Sequence, residues 1–336
     1  MDTFKKKSLI FLSLIFINIC CDSKRDANGS DNEIRVICSE IDKVNVERFL
    51  KLIFNDTLYT PEPEPFYVLK FSSPETYSKL KKQTNVVIAA IDRDSTNSGL
   101  KLIKNILPGK QIRDMELNDP IILAKNVHAN HQLFMVINAN SYSQLIEFSD
   151  KKRDYIKRNF NEQFMVRQSR FLFSKNSINA LKDSLLIEFG WSLDLPWGWD
   201  IVKKIPDSNF VWLGKEMPYQ WIGIGWSDGN QVGNELAAGN FIWEWPKKHY
   251  KNIHFSDYKF DLKKASKNSL SAWRATGIWE TLNLIESKGG PFRSYVYYDN
   301  KKDLTYHLNY LIFYPGKSKS IYLRQADMII KTFKTH

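Results

Sequence analysis

The chain has 336 residues, a formal net charge of +11, 43% hydrophobic and 14% aromatic residues. This composition excludes a disordered chain and is long enough for two domains with separate cores. The positive charge could suit anionic surfaces, but a lysine-rich solvated face with no specific partner is the preferred reading, and no arginine-rich or aromatic-basic motif points to nucleic acid.

The chain opens with Lys5-Lys6-Lys7, an apolar run Leu9–Ile17 and the pair Cys20-Cys21. A basic head followed by an apolar run too short to span a bilayer reads as a secretory signal, residues 1–21. The cysteine pair makes it a lipoprotein signal. Cys21 follows the small Cys20 and is the expected lipidated residue; the alternative, Cys20, would place bulky Ile19 before the cut. Two or three acyl chains, palmitate among them, would hold the protein on a membrane. The expected location is the bacterial cell envelope, facing the periplasm, with inner or outer membrane left open. Cys38 is then the remaining thiol, so no internal disulfide is expected, and its apolar run Ile34–Cys38 suggests a core residue rather than a reactive one.

Residues 22–33 are polar and read as a flexible tether. Residues 34–140 alternate strand and helix and predict an N-terminal α/β sandwich on a mixed or parallel sheet. Ile34–Cys38, Tyr67–Phe71, Val86–Ile91 and Leu133–Ile137 read as strands, Val44–Phe54 and Leu100–Leu107 as helices. The second of these is expected to stop at Pro108-Gly109, and Ser73-Pro74 to start another helical turn. Residues 141–189 read as linking helices, a long one capped by Ser141 and a second ending at Gly190. Residues 190–336 predict a tryptophan-rich antiparallel sheet with packed helices. Strands are expected at Trp191–Leu195, Phe210–Gly214, Trp221–Trp226 and Ala272–Ile285, a hairpin at Phe292–Tyr298 and Leu304–Tyr314, and a helix at Tyr322–Phe333. Asn234–Tyr250 is ambiguous, with Pro246 breaking it. The fold class is therefore α+β, with a PsbP/Mog1-like second half by loose analogy.

In order along the second half stand Phe189-Gly190, Leu195-Pro196-Trp197-Gly198-Trp199, Phe210–Glu216, Arg274–Trp279 and Gly289-Gly290-Pro291-Phe292. With the N-terminal alternation, these resemble a family of uncharacterised Gram-negative lipoproteins, domain of unknown function 4837. The resemblance covers nearly all of the mature chain and implies envelope location and architecture but no mechanism. The chain departs from that pattern at Asn126–His131, where an aromatic and a proline are expected.

No Gly-rich phosphate loop, nucleophile elbow or Cys-His pair occurs, so catalytic residues are unknown and no cofactor is expected. His128 with His131 has no evident third ligand, and His249, His254 and Asp257 are a similarly spaced and similarly unsupported set, so no metal site is expected. Glu216, Glu244 and Glu280 lie in aromatic surroundings without forming a legible acid–base pair. All ten tryptophans fall between Trp191 and Trp279. Trp221, Gly223 and Gly225 would share one strand face as a flat shelf. Trp197, Trp199, Trp221 and Trp226 are the candidate binding surface, for a glycan or an envelope protein; packing of the same rings in the core is the competing reading. The expected function is a membrane-anchored binding or assembly module, with a glycan hydrolase as the alternative.

Overall fold

A computed structural model describes residues 24–59, 62–173, 179–283, 285 and 287–336. The first part is a five-stranded sheet ordered β4-β1-β5-β7-β6, built from β1 (Glu33–Cys38), β4 (Val68–Ser72), β5 (Asn85–Ala90), β6 (Ile121–Lys125) and β7 (Leu133–Asn138). Four strands are parallel and β6 is antiparallel to β7. Because helices cover both faces, β5 and β7 are buried at every position, which explains their unbroken apolar sequences. Helices α1 (Glu40–Ile53) and α5 (Tyr142–Phe173) pack on one face through Phe49, Leu50, Ile156 and Phe160; α3 (Ser98–Ile106) and α4 (Gly109–Leu117) cover the other through Leu100, Ile103, Ile112 and Met115. The short α2 (Tyr77–Leu80) follows a 3-10 turn at Pro74–Thr76, and β2 (Thr57–Tyr59) pairs with β3 (Pro63–Pro65) as a small hairpin. Cys38 lies in this core, and burial pushes its thiol up to about 12.

Helix α5 runs about 48 Å at the usual rise per residue. Its first half fills the N-terminal core, while Gln168 near its end accepts from Gln325 of the last helix at 2.7 Å. After α6 (Asn179–Phe189), Gly190 turns the chain with φ +70°. The second part is an antiparallel sheet ordered β12-β14-β15-β16-β11-β10-β9, with β13 also paired to β14. Its strands are β9 (Asp200–Ile205), β10 (Phe210–Lys215), β11 (Tyr219–Asp228), β12 (Ile253–Phe255), β13 (Asp261–Lys267), β14 (Leu270–Thr281), β15 (Gly289–Asp299) and β16 (Leu304–Phe313). One face packs on α6 and α8 (Ser320–Lys331), with Leu185, Leu323, Ile329 and Phe333 in the core. The other carries α7 (Glu235–His249), with Ala238, Ile242 and Trp245 inside. A two-residue β8 (Trp191–Ser192) pairs with the terminal β17 (Lys334–Thr335).

The α+β architecture agrees with the sequence reading, and several details correct it. The helix over Leu100–Leu107 stops before Pro108-Gly109 as expected, but a further helix follows at once: Pro108, at φ −60°, is the cap from which α4 starts, a position where proline's missing amide is not needed. Asn234–Tyr250 is one helix through Pro246, Trp191–Leu195 is a strand only at Trp191–Ser192, and β14 ends at Thr281. Residues 24–33 are not a loose tether. Asp26 bridges to Asn130 and Asn28 to Gln83, the Lys24 ammonium donates to the Asn126 carbonyl at 2.8 Å, and Asp31 pairs with Arg167 at 2.6 Å. Polar side chains there find partners on the first domain. The signal residues, including Cys20 and Cys21, lie outside the described residues.

Candidate functional site

Helix α7 begins where the Asn234 side chain accepts from the Ala237 amide at 2.9 Å. Glu235 in the first turn and Lys247, Lys248 and His249 in the last complement its dipole. Ala238, Ile242, Trp245 and His249 recur every three or four residues and face the sheet. Pro246 withdraws the amide that the Ile242 carbonyl would accept, and the Tyr250 amide then closes the helix on the Pro246 carbonyl at 2.8 Å.

The sheet beneath is shaped for this helix. Gly223 and Gly225 of β11 face α7; a Cβ at Gly225 would run into the Trp245 ring, and one at Gly223 into the Tyr250 hydroxyl. Tyr250 donates to the Asn309 side chain at 2.8 Å, and Asn309 donates to the Ser294 hydroxyl at 2.9 Å. The expected Trp221–Gly223–Gly225 shelf therefore exists as bare backbone, but the chain covers it with its own aromatic rings.

Beside Trp245 lie two histidines. The His249 ring stacks on Phe210 at 4.4 Å, and the Trp245 ring lies 4.0 Å from His249 and 4.1 Å from His307 of β16. Both histidines are buried and, among the described residues, none of their ring nitrogens has a hydrogen-bond partner. Burial, helped by Lys248, pushes His249 down to about 4; burial and the neighbouring His249 push His307 well below the usual range. His249 lines an open pocket of about 610 Å³, a size that suits a small ligand; His307, against the Trp245 ring, is not among the lining residues. Its walls are Trp226, Ser227 and Gln231 from the sheet side, and Asn240, Phe241, Glu244, Trp245 and His249 from α7. Glu244 pairs with Lys247 at 2.8 Å. Ala237, Lys247 and Lys248 complete the lining, which thus joins aromatic carbon to amide and hydroxyl groups, two ammonium groups and the Glu244 carboxylate.

The four candidate tryptophans do not form one surface. Trp197 is 74% exposed on its turn, whereas Trp199 is buried in the α6–α8 core. Trp221 belongs to the α7 face, stacked on Tyr219 at 5.8 Å; Trp226 packs towards the opposite core against Phe189 at 5.5 Å. Strand alternation separates the last two, since positions five apart point to opposite faces. Trp226 alone of the four lines the pocket. Phe241, Asn240, Gln231 and His307 were not singled out by the sequence reading. The available signal was in β16, where His307 and Asn309 alternate among apolar residues on one face.

The other candidates are dispersed. His128 Nε2 lies 2.8 Å from the Tyr77 hydroxyl, His131 is 3.7 Å from Asp26, and His254 is 3.7 Å from Glu280. Among the described residues, no group of three or more His, Cys, Asp or Glu is placed to share a metal ion. Among them, too, no helix is long and apolar enough to cross a membrane.

Residues 236–332 match the domain of unknown function DUF4837, so the second half resembles that family; residues 27–172 match another, the domain of unknown function DUF8532. The resemblance to DUF4837 is thus narrower than the sequence reading placed it: Arg274–Trp279 and Gly289–Phe292 fall inside the match, and Leu195–Trp199 and Phe210–Glu216 outside it. No curated protein matches the chain. Among solved structures it is similar to the Ran-binding protein Mog1p of Saccharomyces cerevisiae, at 7% identity and a TM-score of 0.32, covering 44% of this chain and 90% of that one. It is also similar to LpqN of Mycobacterium tuberculosis, described as involved in cell envelope biogenesis, at 13% identity and a TM-score of 0.28, covering 44% and 83%.

Proposed function

We propose that the chain is a binding module of the bacterial cell envelope, held at a membrane by acyl chains on Cys21, and that the pocket under α7 takes a saccharide-type ligand. The pocket carries this reading: aromatic carbon from Phe241 and Trp245 beside the amides of Gln231 and Asn240 and the Ser227 hydroxyl is the combination that stacks on a sugar ring and bonds its hydroxyls. Hydrolysis of a glycosidic bond generally needs two carboxyl groups flanking the bond. Among the described residues Glu244 is the one carboxylate lining the pocket, and it is engaged by Lys247, which favours binding without cleavage.

The test is a titration of the protein with peptidoglycan fragments and lipopolysaccharide core oligosaccharides, followed by tryptophan fluorescence and calorimetry. Saturable binding that weakens at least tenfold in Phe241→Ala and Asn240→Ala, with unchanged circular dichroism, is expected. Binding equal in both variants, or none to either ligand set, would remove the pocket from the proposal.

A further inference from the structure

A second, smaller cleft lies on the opposite face of the C-terminal sheet, where it meets the N-terminal part. It measures about 160 Å³ and is lined by Thr57 and Tyr59 of the β2–β3 hairpin, Lys259, Arg274 and Thr276 of β14, and Arg293 of β15. The strand register explains why two arginines meet there. Thr276 stands opposite Arg293 and Arg274 opposite Tyr295, so Arg274 and Arg293 are diagonal neighbours on one face. Diagonal positions lie roughly 7–8 Å apart, close enough for long side chains to interact and for like charges to repel.

The carboxylate nearby does not neutralise this cluster. Asp327 of α8 pairs with the Arg293 guanidinium through one oxygen, and through the other accepts from Tyr295 at 2.9 Å and Tyr310 at 2.8 Å. Both oxygens are committed. The Arg293 side chain is only 11% exposed, and its Nε is buried without a hydrogen-bond partner among the described residues. Among the described residues Arg274 and Lys259 form no ion pair, and Lys259 rests over the Tyr59 ring at 4.4 Å. Among the described residues, the cleft lining contains no carboxylate. Three cations therefore surround a small space with hydroxyl donors on its wall, and among the described residues a single acid, outside the lining, answers one of them.

We propose that this cleft binds a phosphate-type oxyanion, recognised by Arg274, Arg293 and Lys259 with the hydroxyl of Thr276. A guanidinium offers planar paired donors that match phosphate oxygens, and an ammonium adds a point charge at the mouth. The volume admits a phosphate group and excludes a nucleoside beside it. Because the lining comes from both halves of the chain, the bound anion also ties the β2–β3 hairpin to the C-terminal sheet. The source of the anion is free phosphate or the phosphomonoester of a lipid headgroup.

The test uses the intact chain in phosphate-free buffer at constant ionic strength. Calorimetry with inorganic phosphate, and co-sedimentation with phosphatidylcholine vesicles containing phosphatidic acid, separate the two sources. Arg274→Gln and the exposed Lys259→Ala are each expected to weaken the anion at least tenfold. Lys151→Gln, which removes an equal charge on the far helix α5, is expected to leave it unchanged. Without phosphate, Arg274→Gln is expected to melt no lower than the parent chain, since it relieves uncompensated charge. Binding of inorganic phosphate assigns the free anion, and binding restricted to phosphatidic acid vesicles and lost in Arg274→Gln assigns the headgroup. No saturable binding to either probe, or equal loss in Lys151→Gln, would overturn the site.

Discussion

At the residue scale, the C-terminal core depends on atoms that are missing. Gly225 leaves the space that the Trp245 ring enters, whereas Gly239, on the same helix as Trp245, would place a Cβ 3.5 Å from Leu262 in ordinary contact. The two glycine-to-alanine changes should therefore have opposite signs. Gly225→Ala is expected to destabilise by about 1–3 kcal/mol through overpacking, and Gly239→Ala to stabilise by about 0.5–1 kcal/mol through helix propensity. Urea unfolding of both variants measures the contrast. His249 makes a second prediction. Its folded value near 4 lies below the ordinary 6.5, so between these limits the unfolded chain holds the proton and the folded chain does not. The stability from the neutral ring is complete above about pH 6.5 and falls away as the pH drops towards 4, by roughly 3 kcal/mol in total. His307 adds in the same direction. Denaturant midpoints across this window should fall with acid in the parent chain, and fall less in His249→Phe, whose ring keeps the stack on Phe210 without a titrating group.

At the scale of elements, α8 is where the two halves are fastened. Glu64 of β3 accepts from the Lys319 amide at 2.7 Å and from its ammonium at 3.1 Å, at the start of α8. Arg324 lies 3.4 Å over the Phe164 ring of α5 and donates to Asn161 at 2.9 Å. The Lys319 and Glu64 side chains are only 9% and 16% exposed, so removing the acid strands a buried cation. Glu64→Gln is expected to cost about 3 kcal/mol and Glu64→Gln with Lys319→Met distinctly less. A double-mutant cycle by thermal unfolding measures the difference. This seam was not legible in the sequence, because Glu64 and Lys319 are far apart along the chain and neither belongs to a motif. The strands β5 and β7 were legible, because burial on both faces demands an unbroken apolar run. Edge-side strands β9, sequence DIVKKI, and β13, sequence DLKKASK, were not: lysines that protect a sheet margin erase the apolar signal. The pocket was half legible for a similar reason. Trp226, Trp245 and His249 stood out as residue types, but their meeting with His307 depends on the pairing of β11 with β16.

At the scale of the whole molecule, the docked N-terminal segment changes what an anchor at Cys21 would do. Only Asp22 and Ser23 separate that cysteine from Lys24, which is already bonded to the first domain. Three residues of extended chain reach at most about 11 Å. A lipid on Cys21 would therefore hold the body against the bilayer rather than on a long leash, with the Lys24 end of the first domain nearest to it. That end is basic: the His128 pKa is lowered by burial first and then by the nearby charges of Lys81, Lys24 and Lys82. Juxtamembrane lysines contribute about 1 kcal/mol each against an anionic leaflet. Two effects should then separate in one experiment. Cys21→Ser is expected to abolish incorporation of a palmitate analogue and to leave a weak, salt-sensitive association with phosphatidylglycerol vesicles. In the Cys21→Ser background, changing Lys24, Lys81 and Lys82 to Gln is expected to reduce that residual association by about a hundredfold, measured by vesicle co-sedimentation at low salt. Undiminished labelling in Cys21→Ser would move the lipid to Cys20, and residual binding that ignores the three lysines would turn a different face towards the membrane.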